Sequence, residues 1–281
     1  MSRWTFDPLV LASLLLTGAL YVRGATRLWR RGAQRGLRRW QIFSFAAGWL
    51  ALVLALLSPI AALSEVLFSV HMTQHELLMV VAAPLLVLAR PLAVFVWALP
   101  PVWRFRVGRW TRRPLVAKGW SALTGPLTVW ILHGAALWVW HLPTLYQAAV
   151  EHDGIHALMH VCFLFSAALF WWALVHGRYG RLGYGIAVLY VFTTGIHSTV
   201  LGALLTLAPR PWYAIYRDRA PLMHVDPLTD QQLAGLLMWV PFGTIFVVIG
   251  LALFAAWLGE AERRVVYTRA EQLRAGPRDV G

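Results

Sequence analysis

The chain has 281 residues, of which 59% are hydrophobic and only 13% are charged, and its mean hydropathy is +0.61. Soluble globular domains carry about 25% charged residues, so this composition excludes an ordinary soluble domain and indicates a membrane protein. The formal net charge of +13 does not indicate nucleic-acid binding, because the basic residues fall in short connections between apolar segments. The single cysteine, Cys162, excludes a disulfide framework and any CxxC site.

Seven apolar segments approach the length of about 20 residues that a helix needs to cross the hydrocarbon core. In chain order they cover residues 7–22, 40–63, 71–89, 120–141, 155–175, 184–207 and 231–258. The apolar stretch 91–101 is short and bracketed by prolines, and it either extends the third span after a kink or lies at the interface. The pattern predicts an all-α, polytopic membrane helix bundle that forms one integral-membrane domain over residues 1–281.

The basic residues predict the orientation of these spans. Alternate connections hold seven, seven, two and five basic residues, which places 21 of the 25 on one side. The positive-inside rule assigns that side to the cytoplasm. We therefore expect an outward N-terminus, a cytoplasmic C-terminus, and a long outer connection over 208–230 that caps the bundle or docks a partner.

Five of the ten histidines fall near the predicted outer ends of three spans. His71 and His75 open the third span, and His156 and His160 open the fifth, while His141 closes the fourth. Members of each pair are four residues apart, so both rings lie on one face of a helix. Because histidine is costly in lipid and a common metal ligand, the sequence predicts a metal site formed by His71, His75, His141, His156 and His160.

Methionines and polar residues near these histidines offer further ligands or support. Imidazole suits copper, zinc, iron and nickel, and thioethers favour Cu(I), so the combination favours copper. For the deeper His133 and His197, ligation and hydrogen bonding between helices both remain open. Asp230 opens the seventh span, where it either caps its own helix or joins the site. The additional candidates are Met72, Met79, His133, His197, Asp230 and Met238.

Four separated segments resemble the signatures of a known family. They are HMTQH at 71–75 with APLLVL at 83–88; WVWHLP at 138–143 with Tyr146; HALMH at 156–160 with FWW at 170–172; and DQQLAG at 230–235 with MWVP at 238–241. In this order they resemble the seven-span, CtaG-type assembly factors of caa-type cytochrome c oxidase. The third signature commonly carries an acidic residue before its second histidine, where this chain has Met159. That difference favours a softer metal site.

The resemblance implies a multi-pass protein of the bacterial inner membrane that helps to mature the oxidase and is not itself an enzyme. It implies copper as the bound metal, with an oxidase subunit and a periplasmic copper donor as partners. No nucleic-acid partner is expected.

Other functions remain open from the residues. A haem-binding membrane cytochrome would also use histidines from two helices. A membrane-embedded metal-dependent hydrolase would need a general base, for which Glu76 or Asp230 is the nearby choice. A transporter would need polar groups that continue to the other face, and spans three and five are almost purely apolar below the histidines.

Overall fold

The computed structural model describes residues 4–30, 37–176 and 184–275, and within these ranges the chain is helical, without a β-strand. The first helices are α1 (Pro8–Arg30), α2 (Arg39–Leu57), α3 (Pro59–Ser64), α4 (Phe68–Glu76), α5 (Ala83–Leu88), α6 (Pro91–Ala98), α7 (Pro101–Thr111) and α8 (Pro114–Leu123). The others are α9 (Pro126–Trp140), α10 (Pro143–Glu151), α11 (Asp153–His176), α12 (Tyr184–Thr206), α13 (Ala214–Arg219), α14 (Pro227–Trp239) and α15 (Pro241–Ala275). A π-helical segment over Leu77–Ala82 joins α4 to α5, and a 3₁₀ turn over Ala220–Met223 follows α13.

The predicted all-α polytopic bundle is confirmed in this part of the chain. Six helical segments are long and apolar enough to cross a bilayer: Pro8–Arg30, Arg39–Leu57, Phe68–Leu88, Asp153–His176, Gly185–Thr206 and Pro227–Arg264. The bent pair formed by α8 and α9 makes a seventh span if it is counted as one. The predicted orientation stays a prediction, and several of its arginines lie outside the described residues: Arg3, Arg31, Arg35, Arg178, Arg181 and Arg278.

The fourth span is not the continuous helix predicted over 120–141. It bends by 55° between α8 and α9. The break coincides with Gly125 and Pro126, and proline supplies no amide hydrogen to continue the helical ladder. At 1.5 Å per residue, the 15 residues of α9 extend about 22 Å, which is shorter than a hydrocarbon core of about 30 Å.

The second span, predicted over 40–63, is likewise interrupted where proline follows serine. Helix α2 ends at Leu57, and the Ser58 hydroxyl then caps α3 by accepting a hydrogen bond from the Ile60 amide at 3.2 Å. This break creates a separate short helix with its own C-terminus at Ser64. The carbonyl oxygen of Ser64 consequently lacks an α-helical partner and can accept bonds from other elements.

Helix α1 continues to Arg30, two turns beyond the predicted end at residue 22. In these extra turns, Arg27 donates to the carbonyl oxygens of Ala98 at 2.7 Å and Leu99 at 2.9 Å, at the end of α6. The stretch 91–101 follows a turn at Arg90, whose φ is 53°, and its helix α6 packs back along α1. It does not prolong the third span.

The third span begins at Phe68 and contains the π-helical segment. The wider π-helical turn directly precedes α5, where Pro84 has no amide hydrogen to donate to the helical backbone. The π-helical turn and the proline therefore occur next to each other. The largest buried core contains residues of α4, the π-helical segment, α9, α11, α12 and α14, and it surrounds the predicted histidine site.

Candidate metal centre

Two helix pairs of histidines meet across the interface between α4 and α11. The ring of His71 lies 5.1 Å from that of His156 and 6.2 Å from that of His160, measured between centroids. The ring of His75 lies 5.3 Å from that of His160. Within the helices, the centroid distances are 4.4 Å for the first pair and 4.3 Å for the second. The four-residue spacing thus brings all four rings into one cluster.

Three of these histidines have the geometry of a metal-binding group. Ligand nitrogens of His71, His156 and His160 all lie within 4.8 Å of one another. Nitrogens bound at about 2.0–2.1 Å to one ion lie at most about 4.2 Å apart. Side-chain adjustments of about 1 Å would therefore bring the three nitrogens to one ion. Nε2 of His75 lies 3.0 Å from Nε2 of His71, directly beside this group.

Several ring nitrogens at the cluster are buried without a hydrogen-bond partner in the described chain. They include Nε2 of His156 and His160, Nδ1 of His75 and Nε2 of His141. Leaving a buried polar atom unpaired costs about 1–3 kcal/mol. Two such atoms belong to the three-histidine group, so the donor set fits a bound metal that would satisfy them.

The polar contacts of His71 outside the cluster are made by Nδ1, so its Nε2 is available to face the other histidines. Its Nδ1 lies 3.3 Å from the carbonyl oxygen of Ser64 and 3.1 Å from the hydroxyl of Tyr216. A carbonyl only accepts, so a proton on Nδ1 satisfies this contact and Nε2 then carries the lone pair. Partners of this kind fix the tautomer and ring orientation of metal-binding histidines. The carbonyl group that orients His71 in this way belongs to Ser64, the last residue of α3.

An aromatic cap formed by Phe68, by Tyr146 of α10, and by Tyr213 and Tyr216 of the connection 208–230 covers His71. The Tyr216 hydroxyl lies 3.1 Å from that of Tyr146, and Tyr213 donates to the carbonyl oxygen of His141 at 2.9 Å. The Phe68 ring packs against all three tyrosines. Burial raises the pKa of Tyr213 and of Tyr216, so both are neutral hydroxyl groups at pH 7. The long connection over 208–230 thus caps this end of the bundle.

Asp230 does not cap its own helix, and it does not join the three-histidine group. Its carboxylate accepts from the amides of Phe68 at 2.6 Å and Ser69 at 3.2 Å, and from the Ser69 hydroxyl at 2.5 Å. It therefore caps α4 from α14, while Asp226 caps α14 by accepting from the Thr229 amide at 2.8 Å. Asp230 positions the helix that carries His71 and His75.

The other predicted residues lie beside or below the cluster. His141 is outside the three-histidine group, and its Nδ1 lies 2.6 Å from the carbonyl oxygen of Leu137. Met72 and Met238 are buried in the main core. The ring of His197 packs against Trp130 at 5.8 Å, and both its nitrogens are buried without a partner in the described chain. His133 and Met79 line a separate small cavity.

Sequence reasoning did not assign a role to Tyr216 or Ser64. The signal for Tyr216 was its place in an aromatic stretch between the prolines of the outer connection. Ser64 has no such signal, because its role depends on the helix break at Ser58 and Pro59.

A bundle of apolar helices with a histidine cluster near the start of two of them defines a polytopic membrane protein with a candidate metal centre. Residues 19–260 match the family described as cytochrome c oxidase caa3 assembly factor (Caa3_CtaG). The chain belongs to the cytochrome c oxidase caa3 assembly factor family, as the four sequence signatures predicted.

Relatives share much of this chain but are longer. Uncharacterized protein Mb0105 of Mycobacterium bovis is 27% identical over 268 residues, covering 93% of this chain and 40% of its own length. Uncharacterized protein ML1998 of Mycobacterium leprae is 27% identical over 278 residues, covering 94% of this chain and 40% of its own length. The chain thus spans about two fifths of the length of these relatives. No solved structure matches it.

Proposed function

We propose that this protein handles copper during the assembly of cytochrome c oxidase. In this proposal the cluster of His71, His156 and His160 takes copper from a periplasmic donor and passes it to an oxidase subunit. Family membership supports the assembly role. The observation that carries the metal-handling role is the convergence of three histidine nitrogens within 4.8 Å, two of them buried and unpartnered.

The chemistry of the cluster supports copper as cargo. The three-histidine group contains imidazoles and no carboxylate, and imidazole is a good ligand for copper. His71 is fully buried, whereas His156 and His160 are only partly buried. Two ligands on the more open side would allow copper to exchange with a partner while the buried histidine keeps its place.

The geometry gives less support to a haem protein or a hydrolase. A haem held by histidines of two helices would place the two rings on opposite faces of a porphyrin, whereas the rings of His71 and His156 pack directly against each other with centroids 5.1 Å apart. A hydrolase needs a general base beside its metal. Asp230 is occupied as the cap of α4, and Glu76 lines a different cavity.

The membrane placement is part of the same proposal. The family and the apolar helices support a multi-pass protein of the bacterial inner membrane. With the orientation that the arginines predict, α4 and α11 begin at the periplasmic face. The histidine cluster then lies on the side from which a periplasmic donor would approach.

Copper analysis of the purified full chain tests the proposal. Cells grown with copper should yield protein that contains copper, and the double variant His156→Ala, His160→Ala should lose the copper of this cluster. His152→Ala is the matched control, because His152 is exposed and four residues before His156. Full copper retention in the double variant would contradict the assignment of this site.

A further inference from the structure

A small polar cavity lies in the bundle beyond the histidine cluster. It has a volume of about 20 Å³, which is room for about one water molecule or one ion. Residues from α4, the π-helical segment, α9, α11, α12 and α15 line it, and the polar residues among them are Glu76, His133, Thr194 and Ser198. The sequence did not predict this cavity, because its residues come from elements far apart in the chain.

Glu76 is the unusual member of this lining. Its side chain is 3% exposed, and within the described ranges its carboxyl group makes no hydrogen bond or ion pair. An ionised carboxylate without a partner is costly in such surroundings. Buried and intramembrane carboxyl groups normally have a compensating partner, and a bound cation is one that the cavity has room for.

The neighbouring groups are ones that copper prefers. Nδ1 of His133 lies 3.1 Å from the hydroxyl of Ser166, which leaves Nε2 as the remaining ring nitrogen. Met79, whose side chain ends in a thioether, is also a lining residue, and its carbonyl oxygen accepts a hydrogen bond from the Trp171 indole at 2.9 Å. Imidazole and thioether groups together suit Cu(I), and the Glu76 carboxylate would neutralise the single positive charge.

The π-helical segment relates the two sites. Met79 follows His75 by four residues, so it lies about 6 Å further along the same span. It is the third residue of the segment over Leu77–Ala82, and single π-helical turns in α-helices are frequent at functional sites. The wider turn changes the direction of Met79 relative to His71 and His75.

We propose that Glu76, Met79 and His133 form a second, inner Cu(I) site that accepts the ion from the histidine cluster. The identity of the ion rests on the proposed copper function, whereas the existence of the site rests on the small cavity and the unpaired carboxyl group. The span that carries His71 and His75 thus carries ligands for two successive copper positions.

Anaerobic titration of the full chain in detergent with Cu(I), in competition with a chromophoric chelator, tests this proposal. We expect two bound ions per wild-type chain and one in Glu76→Gln. Ser198→Ala is the matched control, because it removes a hydroxyl from the same cavity without removing a preferred copper ligand, and it should bind two. Met79→Leu keeps the volume and removes the sulfur, so it replaces Glu76→Gln if that variant does not fold.

The double variant His156→Ala, His160→Ala separates the two proposals. If it binds one ion, and adding Glu76→Gln to the double variant removes that ion, both sites are supported. One ion in the wild type that only the double variant loses would overturn the inner site and leave the histidine site standing. One ion that only Glu76→Gln loses would overturn the histidine site and support the inner one. No binding by the wild type would contradict both.

Discussion

The hydroxyl of Tyr216 connects the aromatic cap to the histidine cluster. It lies 3.1 Å from Nδ1 of His71, and it also donates to the Ser64 carbonyl oxygen at 3.1 Å. These contacts hold the ring whose Nε2 faces the other histidines. The tyrosine comes from α13, 145 residues away in sequence, so the support of His71 depends on how the outer connection folds over the bundle.

Tyr216→Phe should therefore weaken copper binding without removing a ligand. Loss of a hydrogen bond that orients a metal-binding histidine typically costs 10–100-fold in affinity, and we expect a loss of about this size. Chelator competition with the purified chain measures it. Tyr213→Phe is the control, because its hydroxyl bonds to the backbone of His141 and not to a ring of the cluster. Equal affinities in the two variants would contradict the orienting role.

At the scale of helices, two aspartates four residues apart perform different tasks. Asp230 is 2% exposed and caps α4 across the helix interface, whereas Asp226 is exposed and caps α14 locally. Sequence alone places both near the start of one helix. Only the packing of α14 against α4 reveals that Asp230 bonds to a residue 162 positions away.

Asp230→Asn should destabilise the protein by about 1–2 kcal/mol. The neutral amide oxygen accepts weaker hydrogen bonds from the buried amides of α4 than the carboxylate does. We expect a lower thermal unfolding temperature in detergent and weaker copper binding, because α4 carries His71 and His75. Asp226→Asn is the matched control and should leave copper binding unchanged. Unchanged stability and copper binding in Asp230→Asn would argue against its role as the anchor of α4.

The cap of α14 has its own pH dependence. Hydrogen bonds from the Thr229 amide and hydroxyl lower the pKa of Asp226. The ionised cap therefore contributes fully above the unfolded-state pKa of about 3.9 and is lost as the pH falls through the lower folded value. A titration followed by the amide resonance of Thr229 should have its midpoint below about 3.9, and a midpoint at or above this value would contradict the capping contact.

Helices α1 and α6 approach each other closely at Gly24. A Cβ atom there would lie 2.1 Å from the carbonyl oxygen of Val94, so a larger residue forces the helices apart. We expect Gly24→Ala to cost about 1–3 kcal/mol, as overpacking commonly does. At Gly108 in α7 no atom lies within 4 Å of such a Cβ, and Gly108→Ala should be neutral or slightly stabilising. Thermal unfolding of both variants in detergent checks this contrast.

At the scale of the whole molecule, hydropathy and charge predict much of the architecture but not its irregularities. Long apolar runs are sufficient to locate the spans, and the four-residue histidine spacing is sufficient to place each pair on one helix face. The breaks at Pro59 and Pro126 lie inside runs that remain apolar, so hydropathy does not detect them. The contacts of Ser64, Tyr216 and Asp230 depend on tertiary packing, which local patterns do not encode.

The orientation predicted by the arginines has a direct consequence. A reporter enzyme that is active only in the periplasm should be inactive when fused after Gly281, whereas a fluorescent protein that folds in the cytoplasm should be bright there. Fusions after Glu151, at the end of the short helix α10 between the spans that contain α9 and α11, should show the opposite result. A periplasmic C-terminus would place the histidine cluster on the cytoplasmic side and would exclude exchange with a periplasmic donor.

We propose that His71, His156 and His160 bind copper through their ring nitrogens. X-ray absorption of the copper-loaded full chain, in a Glu76→Gln background that isolates the outer site, tests it most directly. We predict a nitrogen-only first shell of about three imidazoles at about 2.0 Å, with the scattering pattern of histidine rings. That signal should disappear in the chain that also carries His156→Ala and His160→Ala. A spectrum without imidazole scattering, or one unchanged by the loss of both histidines, would contradict the account.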